Sequence, residues 1–238
     1  PDAVSRVSLV YVSWSARPFL ERALEATRPL GVPTVVVDNA SNDGTAEHVR
    51  LRHPEVTLVA ADTNLGFAGG VNAGVRETRT PWVVLLNPDI LLTADALERL
   101  LEDGERDEAI GAVGAQLVGP DGVPQPTYSL RRFPTLATWA VDLLLVDKIW
   151  PGNPVTRRYL AADCDRGLDQ DAEQPAAACL LVRRTAFDAV GGFDTGFHPA
   201  WFEDVDFCRR LRAAGHRIRY VAGARVVHEG GVAMRALG

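Results

Sequence analysis

Three short segments set hydrogen-bonding or metal-ligating side chains where apolar, β-rich runs stop. Ser13 follows the run VSLVYV at 7–12, and Asp38 ends the run PTVVVD with Asn39 behind it. Open α/β sheets bind ligands beyond the carboxyl ends of their strands, so a carboxylate there can accept from a base imide or a ribose hydroxyl. Capping the following turn is its other use. The second segment, Asn64-Leu65-Gly66-Phe67-Ala68-Gly69-Gly70-Val71-Asn72, is a glycine-rich entrance to a helix. Its backbone N–H groups and the positive end of the helix dipole suit a nucleotide phosphate or base, while close helix-to-sheet packing would use the same glycines. The spacing is not GxGxxG and the segment follows the third strand rather than the first, which argues against a dinucleotide-dependent oxidoreductase. The third is Asn87-Pro88-Asp89 after WVVLL. Pro88 fixes the backbone and forces Asn87 extended, displaying the Asp89 carboxylate past the sheet edge. One carboxylate with waters and a substrate diphosphate is a normal way to hold Mg²⁺ or Mn²⁺; a plain turn is the alternative.

Further along, Trp201-Phe202-Glu203-Asp204-Val205-Asp206 opens a helix with Arg209, Arg210 and Arg212 toward its other end. Acids at the start and bases at the end complement the helix dipole, but three acids within four residues behind two aromatics exceed that need. Repulsion among them raises a carboxylate's pKa and favours a general base, against the pull of the dipole. His228 closes the last apolar run, as a structural histidine or as a second metal ligand beside Asp89.

The elements that must position these residues follow from periodicity. Strands are expected at 7–12, 33–38, 56–60 and 82–86, with helices at 18–30, 47–52 and 67–79 between them. Three such crossovers imply an α/β fold, a mostly parallel sheet with helices on both faces. Beyond residue 90, Thr93 caps a helix through Leu101, 111–118 is a strand, and Gly119–Gly122 is a hairpin turn. Residues 176–182 form another strand, 203–214 a helix, and 217–221 and 225–228 two short strands. The stretch 133–150, FPTLATWAVDLLLVDKIW, is apolar nearly all round; it reads first as a buried helix, with a lid or membrane-surface helix as the alternative. Residues 151–174 read as a mobile polar loop. The tail from Glu229 closes no element, as if the chain continued past Gly238.

Composition removes several classes. Against 31 acidic residues stand 25 basic ones, a net charge of −6, so no nucleic-acid partner is expected. Lys148 is the one lysine, and its surroundings have no glycine loop, which discards P-loop and Schiff-base chemistry. The three cysteines are far apart and without CxxC spacing, as expected of reduced, mostly buried thiols. No apolar run reaches the roughly 20 residues that span a bilayer, so the expected place is the cytoplasm, at most in peripheral contact with the inner face of the membrane.

The ordered set VVVDNASNDGT, NLGFAGGVNAGV, LLNPDI, GGFD with WFEDVDFCRRLRAAG, and RVVH resembles family 2 of the inverting glycosyltransferases, which has the GT-A fold. Within the family it looks most like the bacterial rhamnosyltransferase branch. The resemblance runs from about Val7 to Gly231. It implies one domain over 1–238, with a nucleotide-binding half at 1–90 and an acceptor and catalytic half at 91–238. It implies that Asp38 and Ser13 hold the uracil or thymine ring of a dTDP- or UDP-linked donor, and that Asn64, Gly66, Asn72 and Asn87 line the nucleotide-sugar pocket. Asn87-Pro88-Asp89 stands in the place of the DxD motif, with Asp89 and His228 on a divalent metal; the first Asp of that motif is Asn here. Glu203-Asp204 matches the ED motif, in which Asp204 is the base, and Trp201 lies on the acceptor side. The acceptor is a glycan or a lipid-linked hydroxyl. A nucleotidyltransferase and an idle nucleotide- or glycan-binding module remain as rivals. The first wants a basic cradle after strand one, where only Arg17 stands, and the second has no need of Asp204.

Overall fold

Along VSLVYVS the side chains alternate between two apolar clusters, as a strand buried on both faces requires. Val7, Leu9 and Tyr11 join one cluster, while Val10 and Val12 join the other. The computed structural model describes residues 3–199 and 201–230. Its elements run α1 (Ala3–Arg6), β1 (Val7–Ser13), α2 (Arg17–Thr27), β2 (Thr34–Asp38), α3 (Thr45–Arg52), β3 (Thr57–Ala60), α4 (Gly66–Arg76), β4 (Trp82–Leu86), β5 (Ile90–Leu91), α5 (Ala94–Glu105) and β6 (Ile110–Val118). There follow α6 (Pro126–Ser129), β7 (Leu130–Arg131), α7 (Leu136–Leu143), α8 (Val146–Ile149), α9 (Pro154–Tyr159), β8 (Gln170–Asp171), β9 (Gln174–Pro175), β10 (Cys179–Arg183), α10 (Arg184–Ala189), α11 (Glu203–Ala213) and β11 (Arg217–His228).

The main sheet has the order β3-β2-β1-β4-β10-β6-β11-β5, with β8 added on β11. Its first four strands are parallel, as the crossovers imply. Beyond β4 it is mixed: β10 runs antiparallel to both β4 and β6. Cys179 pairs with Leu86, the last residue of β4, so β10 enters the sheet at the edge where the parallel strands leave it and must run the other way. Helices α2 and α5 cover one face, and α4, α10 and α11 the other.

Two expectations fail and one is modified. The stretch 133–150 is not a buried helix: α7 and α8 bury none of their residues, and Leu136, Leu143 and Ile149 are more than 80% exposed. Residues 151–174 are structured rather than a loop throughout. Asn153 caps α9 through Thr156 N (2.9 Å), and β9 pairs with β7. The two short strands at 217–228 are one strand with a bulge between Val221 and Arg225, where Ala222 N turns away to Asp169 Oδ1 at 2.8 Å. The tail expectation falls at Gly231–Gly238, outside the described residues, although Glu229 itself pairs with Arg22 of α2.

Helix α4 lies unusually close to the sheet because Gly70 and Gly74 face it. A Cβ on Gly70 would stand 2.5 Å from Val12 Cγ1, and one on Gly74 2.4 Å from Val10 Cγ1 and 3.0 Å from Val37 Cγ2. Those valines are χ1-restricted and sit on buried strands, so they cannot step aside. Gly74→Ala therefore lowers unfolding free energy by about 1–3 kcal/mol despite the better helix propensity of alanine. Urea melts check this, and Val10→Ala added to Gly74→Ala recovers part of the loss.

Candidate active site

The carboxyl ends of β1 and β2 carry the first candidates. Ser13 and Asp38 are register partners, joined further by Asn39 N donating to Ser13 O at 2.8 Å. Both side chains are buried, and Ser13 Oγ and Asp38 Oδ1 meet no hydrogen-bond partner among the described residues. Each such orphan costs about 1–3 kcal/mol unless something else fills the position. The loops that follow are fastened to each other: Ser15 N donates to Ser41 Oγ (2.8 Å) and Arg17 N to Asp43 Oδ2 (3.0 Å). Burial would raise the Asp43 carboxyl, but hydrogen bonds from Thr45 and from the Arg17 N–H outweigh it and hold it below its ordinary value.

The glycine-rich segment does not offer the free amides that its sequence promises. Leu65 N donates to Asn39 Oδ1 (2.8 Å), Gly66 N to Asn64 Oδ1 (2.8 Å) and Phe67 N to Pro199 O (3.0 Å). These bonds satisfy three of the four donors that a helix N-terminus leaves unpaired, so the protein itself occupies most of the place expected for a phosphate. Asn64, which precedes the Leu65 N-cap, thus ties down the first amide of the helix, and Asn39 Nδ2 completes the clamp on Asn64 Oδ1 at 2.9 Å. Gly66 has φ +72°, and a Cβ on it would stand 2.8 Å from Pro199 O; the loop at 198–199 rests on the bare glycine. Asn72 is committed at both ends of its amide to the Phe193 backbone, at 2.8 and 2.9 Å, and pins the GGFD turn.

The chain after Leu86 turns at once. Asn87 N donates to Ala178 O, and β5 then pairs with the end of β11, His228 opposite Ile90. This register brings His228 Nε2 to 3.6 Å from Asp89 Oδ2, both side chains buried. On its far side His228 Nδ1 meets Gln125 Oε1 at 2.7 Å, and Gln125 Nε2 donates to His228 O at 3.0 Å. A proton on Nδ1 satisfies Gln125 and leaves the Nε2 lone pair toward Asp89, the arrangement of a metal-ligating imidazole with its outer partner. Burial pushes the imidazole below its usual pKa, against the attraction of Asp89. One oxygen and one nitrogen donor fit Mg²⁺ or Mn²⁺ when a substrate diphosphate supplies further ligands. No group of three or more His, Cys, Asp and Glu that could hold a metal occurs among the described residues.

The acid pair opens α11. Two successive non-glycine residues with positive φ, Trp201 (92°) and Phe202 (67°), swing the chain into the helix. Trp201 is exposed, whereas Phe202 packs on Trp139 with ring centroids 4.6 Å apart. Asp204 Oδ2 accepts from Gln174 Nε2 at 3.0 Å and lies 3.8 Å from the Arg131 guanidinium. Arg131 and Gln174 are register partners in the β7–β9 ladder, which delivers both to the same carboxylate. Glu203 is buried, its Oε2 has no partner among the described residues, and burial, helped by Asp204, pushes it up to about 7.

The structure therefore pairs Ser13 with Asp38, Asp89 with His228, and Glu203 with Asp204, while Asn64 and Asn72 act as clamps. Gln125, Arg131 and Gln174 escape a reading of the sequence; they are single polar residues without a motif, made relevant by partners 103, 73 and 30 positions away. Asn39 lies inside a quoted motif, but only the fold reveals its clamp.

Residues 8–190 match the family described as Glycosyl transferase family 2. The chain belongs to that family. It is a glycosyltransferase of the rhamnosyltransferase-like branch: it is 33% identical to N-acetylglucosaminyl-diphospho-decaprenol L-rhamnosyltransferase of Mycobacterium tuberculosis, over 92% of this chain and 75% of that protein. A pre-mycofactocin glycosyltransferase of the same organism is 42% identical over 84% of this chain, which spans 38% of that protein. Among solved structures, GalNAc-T7 with UDP, GalNAc and Mn²⁺ has a TM-score of 0.70 at 14% identity, over 94% of this chain and 43% of that one. That likeness gives the fold of this glycosyltransferase, GT-A. No helix among its described residues is long and apolar enough to cross a membrane.

The buried Glu203 gives stability a pH dependence of known sign. Its folded-state pKa of about 7 lies above the ordinary 4.5, so its contribution is full below 4.5 and is lost as pH rises through 7. The span corresponds to roughly 3 kcal/mol at most. Glu203→Gln, which cannot ionise, gains on the native chain between pH 5 and 8 by up to that amount in urea melts; a difference independent of pH refutes the assignment.

Proposed function

We propose that this glycosyltransferase moves one sugar from a dTDP- or UDP-linked donor to an acceptor hydroxyl in a single displacement with inversion at the anomeric carbon. The observation that carries the reading is the pairing of Asp89 with His228 at 3.6 Å beside NPD, on a sheet whose β1 and β2 end in the unfilled Ser13 and Asp38. Asp38 Oδ1 is suited to accept the ring N–H that uracil and thymine share, with Ser13 Oγ beside it. Asp89 and His228 would hold Mg²⁺ or Mn²⁺, which when bound neutralises the charge developing on the leaving diphosphate. Asn64, Gly66 and Asn72 shape the pocket wall through the bonds already described, and Asn87 fixes the turn that presents Asp89.

Asp204 is the base. It takes the proton of the acceptor hydroxyl as the new carbon–oxygen bond forms, while the bond from the anomeric carbon to the diphosphate breaks and the nucleoside diphosphate departs. Gln174 and Arg131 fix the carboxylate's direction, and Glu203 holds its own proton below about pH 7. Trp201, exposed immediately before the acids, is the acceptor-side surface.

The donor sugar follows the rhamnosyltransferase relative: rhamnose from dTDP-rhamnose. Its name also specifies a diphospho-decaprenol acceptor, which supports a lipid-linked or cell-surface glycan acceptor here, met at the inner face of the membrane by a single domain. The 42% identity to a pre-mycofactocin glycosyltransferase favours a second reading, in which the same donor-site chemistry serves an acceptor of the kind that relative's name gives, pre-mycofactocin. A matrix of UDP- and dTDP-sugars against both acceptor classes separates the two.

Asp204→Asn reduces turnover by roughly 10²–10⁴-fold with near-native nucleotide affinity, and wild-type turnover in that variant sinks the base assignment. In calorimetric titrations with UDP and dTDP, Mn²⁺ strengthens binding to the native chain. Asp89→Ala abolishes that strengthening while leaving metal-free binding unchanged; an unaltered Mn²⁺ effect rules out the metal role.

A further inference from the structure

Residues 133–150 present a surface that sugar transfer alone does not require. Leu136, Leu143, Leu144, Leu145, Ile149 and Trp150 are all exposed along α7, α8 and their junction. A cluster of large apolar side chains in water is costly unless something covers it. Two further observations indicate what does. Between 132 and 163, leaving aside Arg131 on Asp204, the chain carries four basic residues against three acidic ones, in a protein whose overall charge is −6. Arg157 and Arg158 are exposed and, with Arg132, Trp150 and Asp163, line a cleft of about 430 Å³ beside the apolar cluster. Arg132 is paired with Asp163 at 2.7 Å, so Arg157 and Arg158 are the cations the cleft offers. Lys148, 74% exposed, stands on α8 among the apolar residues, 3.7 Å from the Asp147 carboxylate.

The cluster is also continuous with the acid pair. A second cavity of about 290 Å³, lined by Pro134, Trp139, Val141, Tyr159, Leu160 and Phe202 together with Asp142 and Asp147, runs beneath α7 to the residue that precedes Glu203. Apolar side chains flanked by cations, on the side of the molecule where the acceptor hydroxyl must arrive, match an anionic bilayer: hydrocarbon for the leucines and tryptophan, headgroup phosphates for the arginines.

We propose that α7 and α8, with the Arg132-Arg157-Arg158 cleft, dock this glycosyltransferase on an anionic phospholipid surface and so bring a membrane-embedded acceptor to Asp204. The docking deepens the acceptor half of the function proposed above and rests on it. Shallow insertion of Leu143 to Trp150 sets the α11 end of the site at headgroup height, where the hydroxyls of a lipid-linked sugar lie. The 290 Å³ cavity then lies between bilayer and base.

Flotation of the purified chain with vesicles tests this without donor or acceptor. The probes are phosphatidylcholine vesicles and phosphatidylcholine vesicles with roughly 30% phosphatidylglycerol. The native chain floats with the anionic vesicles, less so at high salt, and weakly with the neutral ones. Leu143→Glu with Ile149→Glu lowers the partition coefficient about tenfold or more, and Arg157→Glu with Arg158→Glu removes the preference for anionic lipid. All four positions are exposed, so circular dichroism and melting stay native. A native chain that stays in the soluble fraction at low salt overturns the proposal, as does unchanged flotation of the Leu143/Ile149 variant. A vesicle-free dimer that this variant dissociates also overturns it, because the cluster then covers a second copy. UDP and dTDP titrations on the same samples keep the two ideas apart: nucleotide binding without flotation removes docking alone, and flotation without nucleotide binding removes the donor site alone.

Discussion

Everything at the site depends on where the parallel strands stop. β1, β2 and β4 leave the sheet on one edge, and a strand end is a place where backbone pairing ceases while side chains remain buried between flanking helices. Ser13 and Asp38 are trapped in that position: they are the last paired residues of β1 and β2, with side chains buried and Oγ and Oδ1 unpartnered among the described residues. The same edge determines the hand of β10, which can only enter antiparallel, and the reversal at Asn87 that lays β5 beside β11. Asp89 and His228 meet because a two-residue strand and the last turn of a twelve-residue strand share a register, not because either segment prefers that conformation alone.

The small β7–β9 ladder repeats this logic on the other side of the base. Two residues on each strand suffice to place Arg131 and Gln174 together on Asp204 Oδ2, while Oδ1 accepts from Val205 N of its own helix. Glu203 receives the opposite treatment. Adjacent in sequence, the two acids occupy environments that separate their behaviour: one is held by an amide and a cation, the other is buried with its Oε2 unpartnered among the described residues.

How much of this was legible in the sequence depends on the range of the interaction. Strands β1 to β4 and helices α2 to α4 are visible within a residue or three, since apolar periodicity and the Asn/Asp/Gly turn at 39–45 are local signals. The residues of the candidate site are legible as motifs, but their division of labour is not. The glycine-rich segment looks like a phosphate cradle, yet Gly70 and Gly74 serve close packing, and Asn39, Asn64 and Pro199 occupy the amides. Composition cannot distinguish those uses, because bare glycine permits both. The stretch at 133–150 misleads for a related reason. Apolarity records that a surface avoids water, and the sequence alone does not say whether protein or something else supplies the cover.

The short segment from Gln125 to Arg131 has a consequence for engineering. Its first residue holds His228 and its last lies against Asp204, with only α6 between them. Ser129, inside the same turn, donates to Gln125 O at 2.9 Å and accepts from Leu117 N at 3.0 Å, which fixes the turn to β6. Donor-side and acceptor-side parts therefore share one hinge-free bracket. A chimera that imports foreign acceptor loops must cut after Arg131 or before Gly119 and carry the bracket whole, because a junction inside it would shift imidazole and base relative to each other while leaving both in place in the alignment.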